Sequence, residues 1–481
     1  MYIVEVAAEF APIAKAGGLG EVMVGLCREL TRIGEEVELI LPKYNFLPHN
    51  LRHLQIETPH FQVSERGRPI DNTMWSAHVE DCSLRLLEPH HPKQYFDRSH
   101  IYGEEDDIAR FLYFSKAVVE YLKSQKRPID IIHLHDWHVA AIAPLLRTLH
   151  KEIRVGALLF TLHNVEYQGK CCLEDLEAVG LKDTSLLQTE PGQYNLLKGG
   201  IEFADAIIPV SPTYAKEILT PSHGFGLDNV LTRNRSKIHG ILNGIDLTLW
   251  DPSQDLALSK HYRALDTAEK ITDAKQHSKE SMADRFGLDA KKHPWIGSIT
   301  RLVPQKGPEL IAEGLSQTTR YGGSFALLGS GAAPDIRQRF EKLKHTHKGQ
   351  ALIQLEYNET LAHQLYAALD FLLVPSHFEP CGLTQMIAMR YGTIPIVHAT
   401  GGLKDTVFDP TDSRYQKQAN GFVFNQWTAE SLNHTLGRIF KLQEERSPLI
   451  EILRKHGMQT DFGWTKPALD YMKLFRLKLE Q

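Results

Sequence analysis

Apolar and polar positions along the chain predict short buried strands that alternate with amphipathic helices. Tyr2–Ala8 is a β-rich run. An apolar stripe of helical period extends from Val22 to Ile33, and Gly34 provides a natural stop for that helix. Glu36–Leu41 is then a second strand. This order of strand, helix and strand is the building block of a parallel sheet.

The same alternation continues in two successive halves of the chain. In the first half we predict strands at Asp130–His135, Val155–Leu162, Asp205–Val210 and Lys237–Leu242. In the second half we predict strands at Trp295–Thr300, Ser324–Leu328, Gln350–Glu356, Phe371–Pro375, Thr393–Val397 and Gly421–Phe424. Residues 251–293 are polar, have no strand period and are interpreted as a linker region with a helix near 266–287. The pattern predicts an α/β protein with two doubly wound sheets.

Composition and charge narrow the class of protein. The 54 Lys and Arg residues nearly balance the 59 Asp and Glu residues, which argues against general binding of nucleic acid. The five cysteines are odd in number and contain no CxxC pair, so a disulfide framework or zinc knuckle is not expected. We find no signal peptide and no apolar stretch of membrane length, and we expect a cytoplasmic protein without membrane contact.

The first glycine loop is a candidate binding site. Starting at Gly18 it matches GxG, but Met23 occupies the third glycine position, so the dinucleotide fingerprint fails. Lys15 followed by Gly17 and Gly18 at a helix start suits an anionic or polyhydroxy ligand that approaches the backbone closely. The alternative is a tight turn with a solvated lysine.

Two histidine motifs follow predicted strands. His133, His135, Asp136 and His138 have the density of a metal site, but no matching ligand group occurs elsewhere in the sequence. Buried structural histidines and polar contacts to a substrate are the other interpretations. His163, with Asn164 after it, ends the next strand, and strand ends are where ligands bind in open α/β sheets.

The second half carries charged residues at two strand ends. Arg301 and Lys306 lie five positions apart across a Pro-Gly loop, and they could converge on one anion such as a diphosphate leaving group. Glu379 lies just beyond another strand and could hold sugar hydroxyls or stabilise developing positive charge. The alternatives are solvated loop cations and a carboxylate that only caps a helix.

The helix after Glu379 is a second possible anion site. Backbone N–H groups of Gly382, Leu383 and Thr384 would face whatever lies above the strand. Cys381 has no partner that would support a thiol mechanism.

Together these motifs closely resemble the bacterial glycogen synthases and plant starch synthases over nearly the whole chain. The motifs occur in order as Lys-x-Gly-Gly-Leu, His-Asp-Trp-His, Leu-His-Asn, Val-Ser-Pro-Thr-Tyr-Ala, Asn-Gly-Ile-Asp, Arg-Leu-x-x-Gln-Lys-Gly, Pro-Ser-x-Phe-Glu-Pro-Cys-Gly-Leu-Thr-Gln and Ala-Thr-Gly-Gly-Leu. The resemblance implies the GT-B fold, with two Rossmann-like doubly wound parallel-sheet domains facing across a deep cleft. It also implies transfer of glucose from ADP-glucose to the non-reducing end of an α-1,4-glucan with retention, without metal or another cofactor.

The resemblance also assigns residues and domains. The catalytic positions fall on His163, Arg301, Lys306 and Glu379. The substrate-binding positions fall on Lys15, Gly17, Gly18, Glu21, Asp136, Asn164, Asn243, Tyr357, Cys381, Gly382, Leu383 and Thr384, with Lys15 expected near the sugar-nucleotide phosphates and Tyr357 expected beside the adenine. The expected domains are 1–245 on the glucan side, a connector at 246–293, 294–455 on the nucleotide side, and a final helix at 456–481 that crosses back to the first domain.

Three positions depart from the usual motif of the family, Lys-Thr-Gly-Gly-Leu-Ala-Asp. This chain has Ala16, Gly20 and Glu21 there, so a hydroxyl is lost and a carboxylate moves outward by one methylene. A carboxylate survives, and we expect tuning of donor or acceptor preference. The competing hypotheses are a non-catalytic binding relative that kept the fold and a transferase that uses UDP-glucose.

Overall fold

The structure is a computed structural model that describes residues 1–48, 51, 53–292 and 294–481. It divides into two compact units. Unit 1 comprises Met1–Gly244 and Trp464–Gln481, and unit 2 comprises Ile245–Gly463. In the described part of the chain, no helix is both long and apolar enough to cross a membrane.

Unit 1 is built on strands and helices with the following bounds. The strands are β1 Tyr2–Val6, β2 Glu36–Pro42, β3 Gln55–Glu65, β4 Arg68–Val79, β5 Cys82–Pro89, β6 Ile129–His135, β7 Val155–Leu162, β8 Lys170–Cys171, β9 Gln188–Glu190, β10 Gln193–Asn195 and β11 Ala206–Pro209. The helices are α1 Gly18–Arg32, α2 Asp107–Gln125, α3 Trp137–Ala140, α4 Ile142–Pro144, α5 Leu173–Ala178, α6 Leu196–Phe203, α7 Pro212–Glu217, α8 Pro221–Gly224 and α9 Asp228–Arg233, with a π-helical turn at Leu145–Leu149.

The main sheet of unit 1 has the strand order β11-β7-β6-β1-β2-β5-β4-β3. The run from β11 to β5 is parallel, and its order reverses between β6 and β1. Strand β7 is a continuous apolar run whose last six residues are buried, as expected for a strand covered on both faces. The point where the order reverses is where ligands bind in open α/β sheets.

Two parts of unit 1 differ from the expectation. The antiparallel edge formed by β3, β4 and β5 was not predicted, because β3 is mostly exposed and has no apolar period. The strand predicted at Lys237–Leu242 is wrong. That segment makes a single bridge, Ile207 to Ile238, and donates backbone hydrogen bonds to β11. Its first residue, Lys237, ends a 3₁₀ turn that begins at Arg235.

Unit 2 contains six parallel strands among its described residues. They are β12 Trp295–Arg301, β13 Ser324–Ser330, β14 Ala351–Gln354, β15 Phe371–Val374, β16 Ile394–His398 and β17 Phe422–Phe424. The helices are α10 Ala268–Phe286, α11 Pro308–Arg320, α12 Pro334–Thr346, α13 Glu359–Ala368, α14 Thr384–Arg390, α15 Gly401–Thr406, α16 Ala429–Glu444 and α17 Leu449–Gln459, with 3₁₀ turns at Pro304–Lys306 and Gln416–Gln418.

The sheet of unit 2 has the order β14-β13-β12-β15-β16-β17. In chain order this is 3-2-1-4-5-6, the arrangement of a Rossmann fold, and the reversal lies between β12 and β15. The parallel strands of unit 1 follow the same order, with β6 and β1 at the reversal. The predicted α/β class with two doubly wound parallel sheets is therefore confirmed.

Residues 246–292 of the predicted connector lie in unit 2 and are attached to it by a buried lysine. Lys275 of α10 donates to the carbonyl oxygens of Ala367 at 2.9 Å and Tyr391 at 3.0 Å, and to the Thr393 hydroxyl at 2.8 Å. These bonds fix α10 against unit 2. His293, the last residue assigned to the connector, lies outside the described residues, and the domain boundaries drawn from sequence stay a prediction.

The last helix, α18 Thr465–Leu479, belongs to unit 1. A Cβ atom on Gly25 of α1 would lie 2.0 Å from the Trp464 ring, so only glycine allows this close approach. The Tyr471 and Phe475 rings of α18 lie 5.4 and 5.9 Å from the ring of His133. The helix therefore covers the face of the sheet behind the histidine motif.

Candidate functional site

The candidate residues lie at the carboxyl ends of three neighbouring strands in each unit. In unit 2 these strands are β12, β15 and β16, and in unit 1 they are β1, β6 and β7. Each set includes the point where the strand order reverses, so the topology gives each unit its own candidate site.

An ion pair dominates the candidate site of unit 2. Lys306 Nζ lies 2.8 Å from Glu379 Oε1 and 2.6 Å from Oε2, and Ser376 Oγ donates to Glu379 Oε2 at 2.8 Å. The Glu379 side chain is 8% exposed and that of Lys306 is 18% exposed, so most of the pair is out of bulk water. A pair with low exposure is screened less than a surface pair and holds its partners in one geometry.

Glycines let three loops approach one another around Glu379. A Cβ atom on Gly307 would lie 2.5 Å from the Pro375 carbonyl oxygen, and one on Gly401 would lie 1.9 Å from that of Glu379. Both glycines have positive φ, 67° and 43°. Gly402 also donates its N–H to the Glu379 carbonyl at 3.0 Å. The glycine turn after β16 therefore fixes the backbone that carries the carboxylate.

Arg301 and Lys306 differ in their surroundings. The sequence predicts that both cations converge on one anion, but the anion that Lys306 contacts is Glu379. Arg301 ends β12 and is exposed, and among the described residues its guanidinium has no ion-pair partner. Of these two cations, Lys306 is paired with a protein carboxylate and Arg301 is available to a ligand.

The segment after Glu379 is tightly packed. Cys381 is buried, and a Cβ atom on Gly402 would lie 2.0 Å from the Cys381 carbonyl oxygen. Gly382 has φ of 74°, a conformation that favours glycine, and α14 begins two residues later at Thr384, with Leu383 between them half-buried. Tyr357 lies beyond β14 at the far edge of the sheet and is 57% exposed.

In unit 1, the glycine loop after β1 is held by its own carboxylates. Glu9 Oε2 accepts the N–H groups of Ala16 and Gly17, both at 2.8 Å, and Lys15 Nζ pairs with Glu21 Oε1 at 2.6 Å. The Ala16 and Gly17 N–H groups expected to meet an anion therefore already donate to a protein carboxylate. Gly18 starts α1 directly after them.

Glu9 is a residue that the sequence analysis missed. Its side chain is buried, and its Oε1 accepts a hydrogen bond from the Tyr102 hydroxyl at 3.0 Å. The signal was present, because Glu9 follows the predicted strand at Tyr2–Ala8 as a polar residue at a strand end. The strand-end criterion used for the histidines would have selected it.

The histidine motifs meet in one buried network around Glu5. His133 Nδ1 lies 2.9 Å and His135 Nε2 lies 2.7 Å from Glu5 Oε2. His133 Nε2 lies 2.7 Å from Thr161 Oγ1, and His135 Nδ1 lies 3.0 Å from His163 Nε2. The sheet register explains the contact, because β6 pairs with both β1 and β7.

Glu5, His133 and His135 also form the kind of three-residue group that could hold a metal ion. Their bonded atoms are 2.7–2.9 Å apart, a hydrogen-bond spacing. Ligand atoms around a tetrahedral zinc ion with bonds of about 2.0–2.1 Å lie roughly 3.3 Å apart. The three side chains are fully buried, and hydrogen bonds account for their arrangement.

Burial and charge shift the pKa values in this network. Burial alone would raise the pKa of Glu5, but attraction to His133 and hydrogen bonds from both histidines outweigh it and lower the pKa to about 2. Burial, reinforced by His133, lowers the pKa of His135 to about 4. Burial also holds the pKa of His163 well below its usual value. At neutral pH the carboxylate is charged, and His135 and His163 are neutral.

Asp136 contacts the backbone of this network, and two asparagines are further candidates in unit 1. Asp136 has φ of 63° and accepts the His163 N–H at 2.8 Å, and burial raises its pKa to about 7 despite backbone hydrogen bonds from His163 and Asn164. The Asn164 side chain accepts the Glu166 N–H at 3.0 Å. Asn243 is buried, and its Oδ1 has no hydrogen-bond partner within the described residues.

Comparison with protein families gives two matches that together cover most of the chain. The profile of the starch synthase catalytic domain matches residues 2–233, and that of glycosyl transferases group 1 matches residues 281–456. A glycogen synthase of Protochlamydia amoebophila is 41% identical, with 99% of each chain covered. A probable starch synthase 4 of Arabidopsis thaliana is 40% identical over 99% of this chain and 47% of its own length.

Solved structures agree with these relatives. The catalytic domain of starch synthase IV from Arabidopsis thaliana, bound to ADP and acarbose, has a TM-score of 0.94 and is 39% identical, with 100% of this chain and 99% of that chain covered. A sucrose-phosphate synthase from Thermosynechococcus elongatus has a TM-score of 0.62 at 19% identity, with 99% of this chain and 98% of that chain covered. The second match shows the fold alone.

Proposed function

Because the chain belongs to the glycogen and starch synthase family of glycosyltransferases, we propose that it transfers glucose from ADP-glucose to the non-reducing end of an α-1,4-glucan, with retention of the α configuration. The observation that carries the proposal is that the Lys306–Glu379 pair and the exposed Arg301 both follow strands at the strand-order reversal of unit 2, with Arg301 at the end of β12. A charged leaving group needs fixed cations there.

Departure of ADP is the step that these cations would assist. As the bond between glucose and the diphosphate lengthens, negative charge grows on the phosphate oxygens, and Arg301 and Lys306 would bind it. Glu379 stays at hydrogen-bond distance from Lys306 and Ser376. In this proposal its negative charge would lie beside the glucose, where positive charge develops. A preorganised donor of this type contributes about 10²–10³ in rate.

Retention follows from a front-face reaction in this proposal. A double displacement needs a carboxylate free to attack the sugar. Glu379 instead makes three short contacts, two to Lys306 and one to Ser376, that hold it as a fixed anion. We therefore assign attack to the acceptor hydroxyl on the face that ADP leaves.

The remaining residues of the proposed site divide between the two units. In unit 1 we assign His163, Asn164 and Asn243 to the transferred glucose and the glucan, with Asp136 fixing the His163 backbone and the Lys15–Glu21 pair bordering Gly17 and Gly18. In unit 2 we assign the Cys381–Thr384 turn to the phosphates and Tyr357 to the adenine. The sequence-based domain assignment, glucan with the first domain and nucleotide with the second, is part of the proposal.

The compartment is a further part of the proposal. We place the protein in the cytoplasm of a bacterium, which is supported by the bacterial relatives and by five cysteines that form no disulfide bond among the described residues.

Release of nucleoside diphosphate tests the function directly. Purified protein is given ADP-glucose or UDP-glucose, each with and without glycogen, and ADP or UDP is measured together with incorporation of labelled glucose. We expect glycogen-dependent release of ADP and much slower release of UDP. Binding of ADP without incorporation would indicate the non-catalytic relative, and faster release of UDP would overturn the donor assignment.

A further inference from the structure

Glu5 and His135 form a chain of hydrogen bonds that ends on His163, a residue that the proposed function places at the transferred glucose. Glu5 Oε2 lies 2.7 Å from His135 Nε2, and His135 Nδ1 lies 3.0 Å from His163 Nε2. Glu5 and His135 are fully buried, whereas His163 is half-buried. The direction of each hydrogen bond in this chain decides which nitrogen of His163 carries its proton.

The direction follows from the chemistry of the groups. An ionised carboxylate only accepts, so His135 donates from Nε2 to Glu5. A neutral imidazole has a single N–H, so His135 Nδ1 carries a lone pair and accepts. His163 must then donate from Nε2, which leaves the His163 Nδ1 atom without a proton. The pKa directions support this assignment, since Glu5 stays ionised and His135 and His163 stay neutral near pH 7.

The other branch of the network leaves this direction unchanged. His133 shares the Glu5 carboxylate through Nδ1, and its Nε2 lies 2.7 Å from the Thr161 hydroxyl, which can donate or accept. His133 therefore places no constraint on His163. His163 Nδ1 has no hydrogen-bond partner among the residues that the structure describes, and it is not among the fully buried polar atoms that lack one.

We propose that Glu5 and His135 are positioning residues that fix His163 in its Nε2–H tautomer, so that His163 Nδ1 acts only as a hydrogen-bond acceptor toward the ligand. The consequence is selectivity for a ligand group that donates a hydrogen bond. A sugar hydroxyl can donate to Nδ1, but a fluorine, an ether oxygen or a carbonyl oxygen at the same place cannot. This inference rests on the proposed function only for the identity of the sugar, because the tautomer itself belongs to the protein without ligand.

The tautomer can be measured on the full wild-type chain. Histidine labelled with ¹⁵N distinguishes a protonated ring nitrogen from a bare one, and the His163→Gln variant identifies the resonances of His163 among the 24 histidines. We expect protonated Nε2 and bare Nδ1 at pH 7 without ligand. A protonated Nδ1, or comparable amounts of the two tautomers, overturns the proposal. A failure of the proposed function would leave this result unchanged.

Two variants separate positioning from general packing. His135→Phe keeps a ring but removes the acceptor for His163 Nε2, and we expect His163 to become a mixture of tautomers. Thr161→Val is the matched control, because it removes a buried partner from the His133 branch of the same carboxylate, and we expect the Nε2–H tautomer to remain. A single Nε2–H tautomer in folded His135→Phe, or a lost one in folded Thr161→Val, contradicts the assignment.

A substrate series supplies the link to specificity. Donor sugars lacking one hydroxyl at a time are compared in the wild type and in His135→Phe by kcat/KM. In the wild type, one deoxy position is expected to cost about ten-fold, the size of one lost hydrogen bond to a fixed acceptor. In the variant that penalty should shrink to about two-fold. An undiminished penalty in the variant would mean that His135 does not act through His163.

Discussion

The two points where the strand order reverses have the same topology and opposite electrostatics. In unit 1 the reversal between β6 and β1 buries one carboxylate, Glu5, among histidines that it holds by hydrogen bonds. In unit 2 the reversal between β12 and β15 holds a partly accessible Lys306–Glu379 pair and the exposed Arg301. One fold thus supports neutral histidines around a buried carboxylate in one unit and partly accessible charged side chains in the other.

The difference indicates that the two sites suit different chemical groups of the ligand. Neutral imidazole and amide groups suit the hydroxyls of a sugar, whereas fixed cations suit a diphosphate whose charge rises during the reaction. The glycine loop of unit 1 agrees with this difference. The Ala16 and Gly17 N–H groups of this loop donate to the Glu9 carboxylate, so these two donors are not available to an anionic ligand.

Replacing Lys306 by Ala should produce the largest loss of activity, because this substitution removes a charge from the unit 2 site. It removes a cation from the diphosphate and leaves Glu379 half-satisfied beside it, so kcat should fall about 10²–10³-fold. Steady-state ADP release measures it, with Lys342→Ala on the exposed side of α12 as a matched control. Near-normal kcat in a folded Lys306→Ala protein would remove the leaving-group role from unit 2.

Replacing Arg301 by Ala should have a smaller effect. Its guanidinium is exposed and makes no ion pair in the described part of the chain, so only a charge-assisted contact with the ligand is lost. Such contacts contribute about 1.5–3 kcal/mol, which corresponds to roughly 10–100-fold in kcat/KM. The same ADP-release assay applies, and an unchanged kcat/KM would show that this cation does not contact the donor.

The raised pKa of Asp136 predicts that the stability of unit 1 depends on pH. This pKa rises from 3.8 to about 7 on folding, so the unfolded chain ionises first and the folded chain loses stability relative to it between about pH 4 and pH 7. Asp136→Asn removes this loss while its side-chain oxygen can still accept the His163 N–H. The Tm of the variant minus that of the wild type should therefore rise by a few degrees across this range and be constant above it. A difference that falls with pH would contradict the assignment.

Replacing Glu21 by Asp should have the smallest effect. The shorter side chain weakens a pair with Lys15 whose members are 27% and 18% exposed, and such a pair contributes about 0.2–1 kcal/mol. We expect less than about five-fold change in KM for glycogen, with kcat unchanged. A loss comparable to that of Lys306→Ala would give this pair a catalytic role.

The sequence determined most strands because their apolar runs are buried on both faces. Strand β7 has the bounds that its pattern predicts, and α10 lies within two residues of the helix predicted near 266–287. The antiparallel edge was missed because an exposed strand such as β3 has no apolar signal. The segment at Lys237–Leu242 has a strand-like composition but makes only isolated bonds to β11.

The sequence identifies single residues of the site, but it does not predict which of them form hydrogen bonds with one another. Lys306 and Glu379 were both selected, yet 73 residues separate them, and no spacing rule predicts that they bond to each other. Glu5 was not selected at all, because a glutamate inside a strand lacks the strand-end signal, and its partner His135 lies 130 residues away. Contacts of this kind depend on sheet register, which the sequence pattern does not specify for parallel neighbours.

The central claim is that Lys306 of unit 2 holds the diphosphate whereas the neutral His163 of unit 1 does not, and calorimetric titration with ADP tests it most directly. The titration compares the wild type, Lys306→Ala in unit 2 and His163→Ala in unit 1. We expect the lysine variant to weaken ADP binding by about ten-fold or more, and the histidine variant to stay within about two-fold of the wild type. Unchanged ADP affinity in Lys306→Ala, together with a large loss in His163→Ala, would contradict the account.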